Sequence, residues 1–150
     1  MTSSKFQRRL EKLRRPYKAR ETKLWGHECS LYNGEAGYCC KILVVENKGL
    51  ACSVHYHVKK TETFFVVRGK LALEVYCTKS VLCTMPGDAS TLKSMAHKVL
   101  LTLQPGDCIT LESFMPHRFW SPVGETVFVE ASSHDDPGDS YRIVKAGVAP

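Results

Sequence analysis

The sequence predicts an all-β fold in which antiparallel strands form a single sandwich or barrel. Short apolar and aromatic runs alternate with turn residues, among them Asn33-Gly34 and Pro105-Gly106-Asp107, and this pattern is typical of antiparallel sheets. Beyond residue 23 the sequence predicts no amphipathic helix of ordinary length. With 150 residues, of which 43% are hydrophobic, the chain suits one compact domain.

The N-terminal residues 1–23 differ in charge from the rest of the chain. They carry nine Lys or Arg against two Glu, whereas the remainder of the chain has a net charge of −1. Phe6, Leu10 and Leu13 recur at helical spacing, which predicts a partly helical extension that ends at Pro16 and docks on the barrel or on a partner subunit. The alternative for this basic arm is binding to nucleic acid or to an anionic surface, but it contains no nucleic-acid-binding motif.

Nine strands are predicted after the extension, each an apolar or aromatic run bounded by turn residues. They span Leu24 to Leu31, Tyr38 to Glu46, Leu50 to His57, Glu62 to Val67, Lys70 to Cys77, His97 to Leu103, Asp107 to Leu111, His117 to Ser121 and Thr126 to Ala131. Residues 78–96 are small and polar, so we expect an inserted surface loop there. The folded domain is accordingly predicted to span residues 24–150.

Four residues are candidate metal ligands. His55 and His57 are two apart in a predicted strand, so their imidazoles lie on one face. Glu62 begins the next strand after a short polar turn, and His117 begins a later one. Such a set suits one divalent ion, whether Mn, Fe, Co, Ni or Zn, and does not select among them; Mn is the ion we expect. On an octahedral ion it leaves positions open for substrate oxygens or dioxygen. An isolated His-x-His pair is more often structural, so the interpretation rests on the whole spacing.

This spacing, with Gly49 and Gly69 on either side of the first three ligands and Pro116 before His117, resembles the two motifs of the cupin superfamily. The resemblance implies a single jelly-roll β-barrel. Further segments resemble the small sugar-isomerase cupins, namely D-lyxose ketol-isomerases and mannose-6-phosphate isomerase-type cupin domains. These segments are Trp25-Gly26-His27-Glu28, Tyr38 to Val45, Ser53 to His57, Phe128 to Ser132, Asp135-Asp136 and Asp139 to Arg142. They imply a metal-dependent aldose–ketose isomerase acting on a sugar or sugar phosphate.

Two charged residues in apolar strands are candidate catalytic groups. An aldose–ketose isomerase moves a proton between adjacent carbons, which requires a base with a pKa near neutrality. Lys41 precedes an apolar run, and its burial near a metal would lower its pKa towards that of a usable base. Glu130 shares a strand face with Phe128 and Ser132 and is expected to enter the barrel. Alternatively, Lys41 and Glu130 face outward or pair with each other as structural residues.

Two further residues are candidate substrate contacts. Phe119 lies on the same strand face as His117 and is expected near the ligands. Arg142 ends the acidic segment and is expected to bind a phosphate or a sugar carboxylate bidentately, unless it pairs with Asp139.

Three function classes remain open on this sequence. The first is the sugar isomerase, the second a cupin dioxygenase that uses the same ligands with iron, and the third a non-catalytic metal- or carbohydrate-binding cupin. The extra residues Trp25, Lys41, Glu130 and Arg142 favour the isomerase, because oxygenases of this fold need no paired acid and base.

Composition restricts where the protein works and with what. Seven cysteines without a CxxC pair, and no apolar run near the roughly 20 residues needed to span a bilayer, suit a cytoplasmic protein with reduced thiols. The resemblance also implies a homodimer with a small-molecule sugar as its ligand.

Overall fold

The computed structural model describes residues 3–14, 19–34, 36–77 and 97–150. The predicted loop at 78–96 and the helix stop at Pro16 lie outside the described residues. The described elements are α1 Ser3–Leu13, β1 Ala19–Lys23, β2 Gly26–Asn33, β3 Tyr38–Val45, β4 Leu50–Ala51, β5 Val54–Tyr56, β6 Glu62–Arg68, β7 Leu71–Cys77, β8 His97–Leu103, β9 Cys108–Leu111, β10 His117–Trp120, β11 Thr126–Ser133, the 3-10 turn Pro137–Asp139, β12 Tyr141–Val144 and β13 Gly147–Val148. The all-β prediction is confirmed.

Two antiparallel sheets make up the domain. The first has the strand order β1-β2-β3-β11-β6-β9. In the second, β10 pairs with β4 and β5 on one side and with β7 on the other, β12 and β13 pair with β5 and β4, and β8 pairs with β7. The predicted strand from Leu50 to His57 is therefore two short strands, β4 and β5, which lie end to end along β10.

Alternation along the strands places a polar layer directly above an aromatic layer between the two sheets. Phe64, Phe119 and Phe128 are almost fully buried, and their rings meet edge to face with centroids 5.0 to 6.0 Å apart. Such contacts stabilise a core beyond the area that they bury. Residues two positions away on the same strands, Glu62 and His117 among them, face the same interior. The core thus forms the floor of a polar interior.

The turn from β6 to β7 requires glycine at position 69. Gly69 has a φ of 83°, and a Cβ there would lie 2.4 Å from Thr126 Oγ1 and 2.5 Å from the carbonyl oxygen of Glu125. Neither the conformation nor the space suits another residue. This glycine therefore holds β7 close to the end of β11.

Strands at the sheet edges differ from the sequence-based expectation. β1 pairs with β2 along its whole length, although its five residues fall within the predicted extension 1–23. Its sequence, ARETK, has no apolar alternation because it is an edge strand with a solvated surface. β12 and β13 were likewise not predicted, since both are short.

The helical N-terminus is confirmed, but its docking on the barrel is not. Leu10 and Leu13 are 49% and 63% exposed. Docking of α1 on the barrel or on a partner subunit stays a prediction. Across the described ranges, the helices are too short and too polar to cross a bilayer.

Candidate metal centre and active-site cavity

The four candidate ligands meet between the two sheets. His55 on β5 and His117 at the start of β10 are direct cross-strand partners in one sheet. Glu62 is the first residue of β6 in the opposite sheet, and His57 immediately follows β5. Closing the two sheets on each other therefore brings imidazoles from one side against a carboxylate from the other.

Three of the four residues form a compact donor group. One ligand atom from each of His55, Glu62 and His117 lies within 4.8 Å of the other two. His57 lies at the edge of this group, with its Nε2 3.7 Å from Glu62 Oε1 and its ring centroid 5.2 Å from that of His55. The structure brings all four together, and their assignment as ligands remains a prediction.

Backbone carbonyls hold all three histidines in one tautomer. The Nδ1 atoms of His55, His57 and His117 lie 2.9 Å from the carbonyl oxygens of Ser53, Asp139 and Met115, respectively. A carbonyl oxygen only accepts, so each Nδ1 carries the proton and donates it. Each Nε2 is left with its lone pair, which is the form that binds a metal.

Two atoms at the centre of the group lack hydrogen-bond partners. Glu62 Oε1 and His117 Nε2 are buried and lie 2.9 Å apart, but they do not meet the geometry of a hydrogen bond. Among the described residues, no other buried side-chain oxygen or nitrogen is left without a partner. Unpaired buried polar atoms are costly, and a cation between them would satisfy both. These residues therefore fit a divalent ion.

Electrostatics around the group favour the ligand forms of two residues. Burial, and next the neighbouring His117, lowers the pKa of His55 to about 3, so its imidazole is neutral. Burial alone would raise the pKa of Glu62, but His117, Lys60 and His57 outweigh it and hold the pKa well below its usual range. Burial would lower the pKa of His117, yet Glu62 raises it, so a proton competes with a cation there.

Lys60 is the functional residue that the sequence analysis missed. Its side chain is 4% exposed, and its Nζ lies 2.6 Å from Glu130 Oε1, 3.0 Å from Glu62 Oε2 and 3.1 Å from Asp135 Oδ1. Burial would lower the pKa of Lys60, but these three carboxylates raise it above its usual range. An ammonium therefore lies at the centre of three carboxylates.

A distant carboxylate sets the conformation of the turn that carries Lys60. Asp139 accepts hydrogen bonds from the backbone N–H groups of Val58, Lys59 and Lys60 at 3.1, 3.0 and 3.1 Å. This fixes the turn between β5 and β6 so that Lys60 points inward while Lys59 is exposed. A lysine in a polar turn predicts a solvated side chain, and no local sequence signal distinguishes the buried Lys60 from the exposed Lys59.

Glu130 faces the interior from β11, as expected. It is 4% exposed, lies on the same face as Phe128 and lines the cavity. Burial and the repulsion of Glu62 raise its pKa above the usual range, against the opposing effect of Lys60 and Lys41. A buried carboxyl with a raised pKa is suited to accept and return a proton.

The environment of Lys41 corrects the expected direction of its pKa. Its Nζ lies 2.5 Å from Asp135 Oδ2 and 3.8 Å from Glu28 Oε1. Burial does lower the pKa of Lys41, but Glu130, Asp135 and Glu28 outweigh it and the net direction is upward. The neighbouring carboxylates thus stabilise the ammonium, and the catalytic role of Lys41 stays a prediction.

The two candidate substrate contacts both line the cavity but differ in burial. Phe119 is 4% exposed and packs edge to face on Trp25 at 5.0 Å, so it belongs to the aromatic floor. Arg142 on β12 is exposed and is the cross-strand partner of His55. Its alternative pairing with Asp139 is not observed, since the Asp139 carboxylate binds the β5–β6 turn.

A cavity of about 460 Å³ connects these groups to the surface. Its lining includes His55, His57, Glu62, Glu130 and Arg142. The volume falls within the range of small-molecule sites. The cavity therefore combines a candidate ion site, a buried carboxyl and an open mouth.

Comparison with known proteins identifies the family and the fold. The sequence profile of the D-lyxose isomerase family matches residues 26–147. No curated protein sequence matches the chain.

Solved structures show the cupin fold. The capsular polysaccharide assembling protein CapF from Staphylococcus aureus is similar over 90% of this chain and 34% of its own, with 13% identity and a TM-score of 0.68. Oxalate decarboxylase from Bacillus subtilis, which has Mn(II) centres, is similar over 79% of this chain and 28% of its own, with 16% identity and a TM-score of 0.61. This chain spans about a third of the length of these proteins. Likeness at such identity shows the fold alone, and the predicted cupin jelly roll is confirmed.

Removing two candidate ligands tests the ion site. We expect purified His55→Ala/His57→Ala protein to lose stoichiometric divalent metal, because two of its four donors are gone. Metal content is measured by mass spectrometry of the purified protein. His27→Ala is the matched control, since His27 pairs with Glu46 and lies outside the cavity. Full metal content in the double variant would contradict the assignment.

Neutralising Lys60 tests the buried charge cluster. Lys60→Met leaves three carboxylates without their shared ammonium, so we expect the free energy of unfolding to fall by about 3–5 kcal/mol. Chemical denaturation measures the change. Lys59→Met, at an exposed neighbouring position, is expected to change stability by less than about 0.5 kcal/mol. Equal stability of the two variants would show that the cluster contributes nothing to folding.

Proposed function

Since the chain belongs to the D-lyxose isomerase family, we propose that it is a metal-dependent aldose–ketose isomerase acting on a sugar or sugar phosphate. One observation carries the proposal: a candidate ion site and a buried carboxyl with a raised pKa, Glu130, line the same cavity. An isomerase requires both, because a proton leaves one carbon and returns to its neighbour while negative charge develops on the sugar oxygens.

His55, His57, Glu62 and His117 would hold the ion. Three imidazoles and one carboxylate suit a divalent ion, and we propose Mn because the similar oxalate decarboxylase has Mn(II) centres. Fe, Co, Ni and Zn suit the same donors. When bound, a divalent ion stabilises the negative charge that develops on adjacent sugar oxygens.

Glu130 is proposed as the proton-transfer group. Its carboxylate takes the proton from C2 of the aldose and returns it to C1, while the proton of the C2 hydroxyl is transferred to the C1 oxygen, so that an aldose becomes a ketose without net gain or loss of protons or electrons. The Lys60 ammonium donates to Glu130 Oε1 and fixes the orientation of the carboxylate. Lys41 is proposed as a donor to a substrate oxygen, because the raised pKa keeps it protonated.

The free thiols support a reducing compartment. Each of the five cysteines described at the side-chain level, Cys29, Cys39, Cys40, Cys52 and Cys108, is free. Burial raises the pKa of the Cys52 thiol to about 12, which leaves it inert. We therefore place the enzyme in the cytoplasm.

Activity under nitrogen and a single substitution test the proposed mechanism. We expect the wild-type protein to interconvert an aldose and a ketose without oxygen, and Glu130→Gln to lower kcat by about 100-fold or more while metal content is retained. Exchange of the C2 hydrogen with solvent deuterium reports the same step. Glu125→Gln is the control, since Glu125 is exposed and pairs with Arg68.

Two outcomes would contradict this mechanism. Unchanged isomerisation and exchange in the Glu130→Gln protein would remove that residue from the reaction. Oxygen uptake by the iron-loaded protein, without isomerisation under nitrogen, would favour the dioxygenase instead.

The proposed homodimer has a candidate surface on the outer face of the first sheet. Phe65 and Val67 on β6, which alternate with the buried Phe64 and Val66, are 44% and 51% exposed. We expect a sedimentation mass of twice the 16.8 kDa chain and a shift to monomer in Phe65→Ser/Val67→Ser, because apolar contact would be lost. Val148→Ser, at an exposed position in the other sheet, is the control. A monomeric wild type would overturn the proposal.

A further inference from the structure

Most charged side chains that line the cavity are already paired with one another. The pairs are Lys60 with Glu62, Glu130 and Asp135, Lys41 with Asp135 and Glu28, and Lys23 with Glu21 and Glu28, at 2.5 to 3.8 Å. The remaining acid of the lining is Asp136, whose Oδ1 accepts a hydrogen bond from the N–H of Gly138 at 2.9 Å. The carboxylates of the cavity are therefore engaged.

Two cations of the cavity lining, Arg142 and Lys145, are not engaged in this way. Within residues 3–14, 19–34, 36–77 and 97–150, no carboxylate oxygen lies within 4.0 Å of either side-chain cation, and neither side chain makes a hydrogen bond. Both residues are exposed at the mouth. Internal pairing thus leaves these two cations of the lining without a carboxylate partner.

The backbone register directs Arg142 towards the candidate ion site. Its Cα is paired with that of His55 across β12 and β5. Direct cross-strand partners extend from the same face of a sheet, with Cβ atoms about 4.5–5.5 Å apart. Since His55 faces the cavity, Arg142 faces it as well, and Lys145 follows immediately after β12 ends at Val144. Both cations therefore line the same cavity as the candidate ion site.

We propose that Arg142 and Lys145 form a phosphate-binding site, and that the substrate of the proposed isomerase is therefore a sugar phosphate bound with its phosphate at the mouth. This inference rests on the proposed function. The Arg142 guanidinium offers a fork of donors to phosphate oxygens, and the Lys145 ammonium adds a second positive charge. A phosphomonoester carries about −1.5 to −2 charges near neutral pH, which two cations match. A neutral sugar can accept hydrogen bonds from both side chains but carries no charge that matches theirs.

A substrate comparison tests the specificity. The ratio of kcat/KM for an aldohexose 6-phosphate to that for the free aldohexose is measured in the wild type, Arg142→Gln, Lys145→Gln and the control Lys48→Gln, an exposed turn residue outside the cavity. We expect the wild type to favour the phosphate, and the ratio to fall about 10-fold or more in either cavity variant. Lys48→Gln is expected to keep the wild-type ratio.

A binding measurement that needs no turnover separates this inference from the proposed function. Glucitol 6-phosphate and glucitol cannot isomerise, and calorimetry gives the Kd of each for the wild type and for Lys145→Gln. We expect the phosphate to bind at least 10-fold more tightly to the wild type, and the difference to shrink in the variant. If the phosphate binds more tightly but the protein has no isomerase activity, the proposed function is contradicted and the phosphate site is supported.

Three results would overturn the phosphate site. The first is equal binding of glucitol and its phosphate. The second is a kcat/KM ratio that does not change in either cavity variant. The third is a preference for a hexuronate over the phosphorylated sugar, since a single carboxylate would then be the recognised group. If the protein isomerises free sugars but not sugar phosphates, the proposed function is supported and the phosphate site is contradicted.

Discussion

The balance of buried charge around Lys60 is the constraint on which the rest of the site depends. Three carboxylates, those of Glu62, Glu130 and Asp135, lie within 3.1 Å of its Nζ. Ionised carboxylates in a protein interior are strongly destabilising unless they are paired. The ammonium therefore allows the barrel to hold several acids beside a candidate ion site. The turn between β5 and β6 determines the position of this ammonium. Asp139 fixes the turn by accepting hydrogen bonds from its backbone N–H groups.

The site and the core are built from the same strands. On β6, β10 and β11 a polar interior residue, Glu62, His117 or Glu130, is two positions from a buried phenylalanine on the same face. A period of two therefore stacks the polar layer on the aromatic layer without any extra element. The aromatic residues exclude water from below, which strengthens every electrostatic interaction above them. Stability of the core and geometry of the site are consequently not independent in this fold.

Local pattern determined what the sequence could predict. Strands with one buried face alternate visibly, and the spacing of His55, His57 and Glu62 depends only on strand period and a short turn. Features that depend on the position of a residue in the folded chain could not be predicted from the sequence. β1 has no apolar alternation because it is a solvated edge. Lys60 points inward because its backbone N–H donates a hydrogen bond to Asp139, a residue 79 positions away. The pKa of Lys41 has the opposite direction to the expected one, because its carboxylate neighbours come from other strands.

Glu62 joins the two halves of the site through its two oxygens. Oε1 lies 2.9 Å from His117 Nε2, whereas Oε2 lies 3.0 Å from Lys60 Nζ, which in turn lies 2.6 Å from Glu130. A histidine in place of Glu62 could supply a metal donor, but it would offer no second acceptor for the Lys60 ammonium and no negative charge. A glutamine would offer an acceptor without the charge that holds Lys60 protonated. The Glu62 carboxylate is thus required by the lysine as much as by the proposed ion, so one acid would serve both.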